Sequence, residues 1–182
     1  MPSPLSEFHG GAGAEVIAWL GYYAGRTPGT SVVSQATCRM FGDAPQPDAA
    51  LRIREECGGQ SRVQGLYPTG APELIVEVCL SSAVYDLHEK KDLYETACVV
   101  EYVAVLLHES EVRWHRLDGG KYRLPSPDPD GCFRSTVFPG LWLNVRSLLS
   151  RDLAALLATG ERGVASPEHA AFSKELMARR QP

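Results

Sequence analysis

The stretch Glu73-Leu74-Ile75-Val76-Glu77-Val78-Cys79 constrains this chain more than any other. Leu74, Ile75, Val76 and Val78 are strand formers in a nearly continuous apolar run, the pattern of a strand covered on both faces at the centre of a sheet. Glu77 interrupts that run. An unpaired carboxylate buried there would cost several kcal/mol, so something must offset its charge. Strand alternation puts Glu73, Ile75, Glu77 and Cys79 on one face and Leu74, Val76 and Val78 on the other. Glu77 can therefore point into a cleft while its apolar neighbours pack a core.

A second acid raises the same question. Asp48 opens the apolar strand predicted at 47–53, in Pro47-Asp48-Ala49-Ala50-Leu51. A divalent cation is one answer, because Mg²⁺ takes one or two carboxylates plus waters and phosphate oxygens. Ion pairs with Arg39, Arg52 or Lys90 are the other. Lys90 belongs to a helix predicted at 85–97, where Leu87, Lys90, Leu93, Tyr94 and Ala97 recur at steps of three and four. It lies near the inward stripe, with Lys91 and Asp92 outside. From there it can reach the Glu77 cleft, or snorkel with a solvated tip.

The remaining pattern is a helix at 7–25, weakened in its first half by Gly10, Gly11 and Gly13, and a strand at 31–41. A long glycine-rich loop follows at 54–72, of the sort that often carries function. Strands are expected at 101–107, 112–117 and 121–124, the last two joined by a hairpin turn at Asp118-Gly119-Gly120. After a loop at 125–131 come a strand at 133–138 and an amphipathic helix at 146–158. The order predicts an α/β (α+β) fold, a mixed sheet flanked by helices. One domain is expected over 7–158, with a polar tail at 159–182 that holds at most a loose helix at 167–179.

Apolar residues make up 44 % of the 182, enough for a real core. The net charge of −4 argues against tight non-specific binding of duplex DNA, although a local basic patch can sit within an acidic total. The five cysteines are odd in number and form no C-x-x-C pair, which fits reduced thiols in a cytoplasmic protein better than disulfides or zinc. Residues 1–7 lack the regions of a signal peptide, and no apolar run approaches the roughly 18 residues of a membrane span. Ser81-Ser82 reads as a helix cap rather than a nucleophile. His88 and His115 read as lone histidines rather than ligands. Trp19, Trp114 and Trp142 read as core or interface residues.

Pro47-Asp48, the segment Gly70-Ala71-Pro72-Glu73-Leu74-Ile75-Val76-Glu77-Val78 and the segment Tyr85-Asp86-Leu87-x-x-Lys90-x-x-x-Tyr94 together resemble one family. Val100-Glu101-Tyr102-Val103 and Val137-Phe138-Pro139-Gly140-Leu141-Trp142-Leu143 extend the likeness. It is the Uma-two family of endonuclease-like proteins, long known as a domain of unknown function, within the PD-(D/E)XK nuclease superfamily. The resemblance implies a restriction-endonuclease-like core with Asp48 and Glu77 as Mg²⁺ ligands, Mn²⁺ able to substitute, and Lys90 as the catalytic lysine. Many PD-(D/E)XK enzymes carry that lysine two residues after the acid, where this chain has Cys79; the Uma-type pattern moves it to the following helix. The usual E-V-x-S-P-S turn appears here without its proline. Glu15 is the one match for an acid that some relatives place on the first helix.

The expected activity is hydrolysis of phosphodiester bonds in nucleic acid, DNA above RNA. Arg52, Arg54 and Arg62 are the candidate phosphate contacts, and the 54–72 loop and the turn at 81–84 would flank the cleft. A homodimer is expected by analogy, since cutting both strands of a duplex needs two sites. The competing reading is a catalytically silent nucleic-acid-binding or protein-interaction module on the same fold, which the acidic net charge favours.

Overall fold

A computed structural model describes residues 7–80 and 84–180. Its elements run α1 (Glu7–Ala24), β1 (Thr30–Ser34), β2 (Ala49–Ile53), β3 (Arg62–Gln64), β4 (Tyr67–Thr69), β5 (Leu74–Cys79), α2 (Val84–Thr96), β6 (Glu101–Leu106), β7 (Glu111–Asp118), β8 (Lys121–Arg123), β9 (Cys132–Arg134), β10 (Trp142–Asn144), α3 (Val145–Leu149), α4 (Leu153–Val164) and α5 (Pro167–Arg179). The main sheet has six strands in the order β1-β2-β5-β6-β7-β8. β5 and β6 are parallel, joined across α2, and the other neighbours are antiparallel. This is the mixed α/β sheet expected from the sequence. No described helix is long and apolar enough to cross a membrane.

β5 lies inside the sheet, and Leu74 through Val78 are buried. Its two faces feed two cores. Leu74, Val76 and Val78 join the larger core under α1 and α4, with Trp19, Trp114 and Phe138. Ile75 joins Ala50, Cys38, Tyr94 and Tyr102 in the smaller core under α2. Trp19 and Trp114 meet edge to face, and half-buried Trp142 lies under the Arg134 guanidinium. The glycines at the start of α1 do not prevent the helix. Ala12, Val16, Trp19, Leu20 and Tyr23 bury one stripe of it, and that burial outweighs a propensity loss of about 1 kcal/mol per glycine. β7 and β8 turn at Gly119 and Gly120, both at positive φ, as the expected hairpin requires. All five cysteines are free thiols.

Several expectations are corrected. The strand predicted at 31–41 ends at Ser34. Gln35 turns to φ 48, and beyond it only isolated bridges form, Arg39 with Thr69 and Met40 with Asp43. The loop at 54–72 holds a short 3-10 turn at Glu55–Cys57 and the β3–β4 hairpin, whose exposed residues carry little apolar periodicity to reveal it. The strand predicted at 133–138 is only β9, paired with β10, which was not expected because three residues are too few to show alternation. The helix predicted at 146–158 is two helices. Arg151 at φ 61 breaks the chain, and Asn144 and Asp152 cap the two starts. The segment expected as a loose tail is packed: Ser166 caps α5, Pro167 opens it, and Leu176 and His169 are buried against the body of the fold.

Candidate active site

The site forms where one strand ladder stops. β2 pairs with β5 up to Ala49 opposite Val76. The next residue of β5 whose N–H and carbonyl face that side is Val78, and side chains meet them instead of a strand. Its N–H donates to Asp48 Oδ2 at 2.8 Å. Its carbonyl lies 2.6 Å from Nε2 of His9, in the first turn of α1. A carbonyl oxygen only accepts, so His9 Nε2 carries the proton.

Glu77, one residue earlier, turns to the α2 face. Its Oε1 accepts from the Tyr94 hydroxyl at 2.6 Å, and its Oε2 accepts from Lys90 Nζ at 3.1 Å. Lys90 and Tyr94 stand one helical turn apart on α2, so both reach the same carboxylate. The Glu77 side chain is 3 % exposed and that of Lys90 33 %, so the acid is covered while the lysine comes in from the rim.

Burial pushes the Glu77 carboxyl above the usual glutamate range. The Lys90 ammonium and the Tyr94 hydrogen bond pull the other way, and the charge of Asp48 adds to the rise. The Tyr94 hydroxyl is driven up by burial first and by the Glu77 charge second, so it stays a neutral donor. A buried carboxylate whose cost a second acid raises makes a place where a cation would be stabilising. Asp48, Glu77 and the Val78 carbonyl are an all-oxygen donor set, which suits a hard ion. Among the described residues no three His, Cys, Asp or Glu side chains gather as a metal-holding group. An ion here would complete its shell with water, as Mg²⁺ does and structural zinc does not.

A cleft of about 410 Å³ opens beside Asp48, lined by His9, Gly10, Gly13, Ala14 and Ile17 of α1 and by Ser34 and Gln35. A Cβ at Gly10 or Gly13 would have nothing within 4 Å, so this helix face is bare. Gly11 differs, since a Cβ there would collide with the Arg151 guanidinium.

The structure thus brings Asp48, Glu77 and Lys90 together around one turn of backbone. The other candidates lie elsewhere. Glu15 pairs with Arg151 at 2.8 Å, on another face of α1 from His9, Gly10 and Gly13. Arg52 is buried, on the Ala50 side of β2, and donates to the Ser61 carbonyl at 3.1 Å, so it ties down the following loop rather than facing a phosphate. Arg54 donates to the Thr30 carbonyl at the far end of β2, about 20 Å along the chain from Asp48 at strand rise. Arg62 is exposed on β3. Ser81 and Ser82 lie outside the described residues, as does most of the turn at 81–84. His88 is exposed on α2, and His115 is stacked on Tyr102 at 5.4 Å, where burial holds its pKa down to about 4. Sequence reasoning missed two residues of the site. Tyr94 was visible as a helix neighbour of Lys90 but not as a partner of Glu77. His9 carried no local signal.

A family model, Uma2, described as "Putative restriction endonuclease", matches residues 1–146. Among solved structures the chain is similar to the crystal structure of a "putative nuclease belonging to DUF820" from Anabaena variabilis. The TM-score is 0.64 at 14 % sequence identity, covering 82 % of this chain and 83 % of that one. At that identity the likeness is one of fold. No match was found among the curated proteins.

Proposed function

Because this chain belongs to the Uma2 family, whose model matches residues 1–146, we propose that it is a metal-dependent endonuclease hydrolysing phosphodiester bonds of nucleic acid, with DNA as the first substrate to try. One observation carries the reading: a buried glutamate held by Lys90 and Tyr94, beside Asp48, at the open end of a ladder.

Asp48, Glu77 and the Val78 carbonyl would hold Mg²⁺, or Mn²⁺ in its place. The ion supplies charge neutralisation at the phosphate and lowers the pKa of water. Tyr94 fixes Oε1 of Glu77 and so sets which way the carboxylate faces. Lys90, on the rim of the site with its side chain 33 % exposed, would orient the attacking water or meet charge developing on the phosphate. Arg62 is the remaining arginine for a phosphate contact from the β3–β4 hairpin. A two-fold homodimer would offer a duplex two such centres; sedimentation of the free protein and of a DNA complex tests that part.

The second reading is a nucleic-acid-binding module that does not cleave. It is favoured by the net charge of −4 and by the inward engagement of Arg52. Incubation with single- and double-stranded DNA and with RNA, in Mg²⁺, Mn²⁺ or EDTA, separates the two, with Glu77→Ala and Lys90→Ala in parallel. Metal-dependent cutting lost in both folded variants supports the nuclease. Binding without cutting in every condition supports the module.

A further inference from the structure

We propose that His9 is a positioning residue of this centre: it holds the Val78 carbonyl where a divalent cation bound by Asp48 and Glu77 needs it. The proposal rests on the metal-dependent reading above and deepens it. Val78 joins the two acids, since its N–H is bound by Asp48 Oδ2 at 2.8 Å and it directly follows Glu77 in the chain. Its carbonyl has no strand partner because the β2 ladder has ended. That carbonyl belongs to the Val78–Cys79 peptide unit, separate from the Glu77–Val78 unit whose N–H Asp48 holds, so the Asp48 contact alone does not orient it. His9 Nε2, at 2.6 Å, is the group that holds it. A carbonyl oxygen has two lone pairs, so the histidine uses one and leaves one for a hard ion.

The placement of His9 supports the assignment. It reaches across 69 residues of sequence from the first turn of α1, and it lines the same cleft as Asp48. Gly10 and Gly13 beside it leave that face open, so the imidazole is the polar group α1 presents there. Groups that orient metal ligands without binding the ion typically change metal affinity about ten- to a hundredfold when removed.

The experiment is a titration with Mn²⁺ alone, read by electron paramagnetic resonance and calorimetry, on the full chain and on Asp48→Asn, His9→Leu and His9→Gln. Wild type should bind Mn²⁺ and Asp48→Asn should lose it. His9→Leu should weaken binding about ten- to a hundredfold with a Tm close to wild type. His9→Gln, whose amide N–H can reach the carbonyl as Nε2 does, should restore most of it. If His9→Leu does not fold, His9→Asn, with a donor too short to reach, should show the same weakening. Unchanged Mn²⁺ affinity in His9→Leu or His9→Asn, with Asp48→Asn still defective, overturns the role of His9 and leaves the metal site standing. Weakening that His9→Gln does not restore also overturns it. A wild type that binds no Mn²⁺ removes the metal reading itself, and the role of His9 with it.

Discussion

Two glutamates share one face of the same sheet segment, four residues apart, and they are held in opposite ways. Glu73 is buried just before β5, and both its oxygens accept backbone amides, from Ile53 and Gln60, each at 2.8 Å. Glu77 is buried near the other end, and both its oxygens accept from side chains, Tyr94 and Lys90. Burial raises both carboxyls. The Glu73 amides belong to the main chain and cannot leave without unfolding the loop, so that acid is structural. Lys90 reaches Glu77 from α2 on a side chain 33 % exposed, so this partner is a side chain at the rim and not part of any strand. On the function proposed above, the chemistry of the partner, rather than burial, separates the fastening acid from the working one.

The sharpest way to break this comparison is to neutralise each acid in turn. Glu77→Gln should lower cleavage at least about a thousandfold, the order of a lost metal ligand worth several kcal/mol. The same change should raise the Tm, because burial penalises the ionised form. The sign follows from the raised pKa. The fold favours protonated Glu77, so its contribution to stability falls as pH rises through that pKa, and the gain on substitution should grow from acid to neutral pH. Glu73→Gln should do the reverse: loss of stability of about 1–3 kcal/mol for an orphaned amide, with cleavage by the folded fraction kept. Thermal melts from pH 4.5 to 8 beside cleavage assays decide it. If both variants lose stability alike, the distinction fails.

Lys90→Met tests the partner at the rim. Cleavage should fall about a hundredfold, as for loss of one charge-stabilising group, with the fold retained. Unchanged single-turnover rates would make Lys90 a bystander ion pair. Tyr94→Phe removes only the 2.6 Å hydrogen bond to Glu77, so a loss near tenfold is expected, together with weaker Mn²⁺ binding. The smallest effect comes from a buried titrating group with rings around it and no cleft. His115, with its pKa held down to about 4 by burial and by nearby Lys91 and Arg113, is neutral in the fold. Its contribution to stability is complete above the ordinary value of 6.5 and is lost as pH falls towards about 4. His115→Phe, which keeps a ring on Tyr102, should flatten stability across that window and leave cleavage unchanged.

Asp48 and Glu77 were legible in the sequence because an acid inside an apolar strand demands a partner. Helical spacing put Lys90 near the inward stripe, but spacing alone fitted a snorkelling lysine as well, and the family resemblance singled it out. The signal that would have corrected Arg52 was also present: it shares strand parity with Ala50, a face that had to be covered. His9 was not legible, since one histidine ahead of glycines has no periodicity to read. Nor were β9 and β10, whose three-residue strands are too short to alternate.

The sequence by itself determined the central strand, the acid within it, the helix that follows and the mixed sheet they belong to. Those properties follow from periods of two and about 3.6 residues, which act between near neighbours in the chain. Only the tertiary structure decided where the β2 ladder ends and what meets the N–H and carbonyl of Val78 there. The N–H is met by Asp48 from 30 residues away and the carbonyl by His9 from 69. No local pattern encodes such meetings, because they depend on how α1 and two strands pack rather than on what any one of them contains.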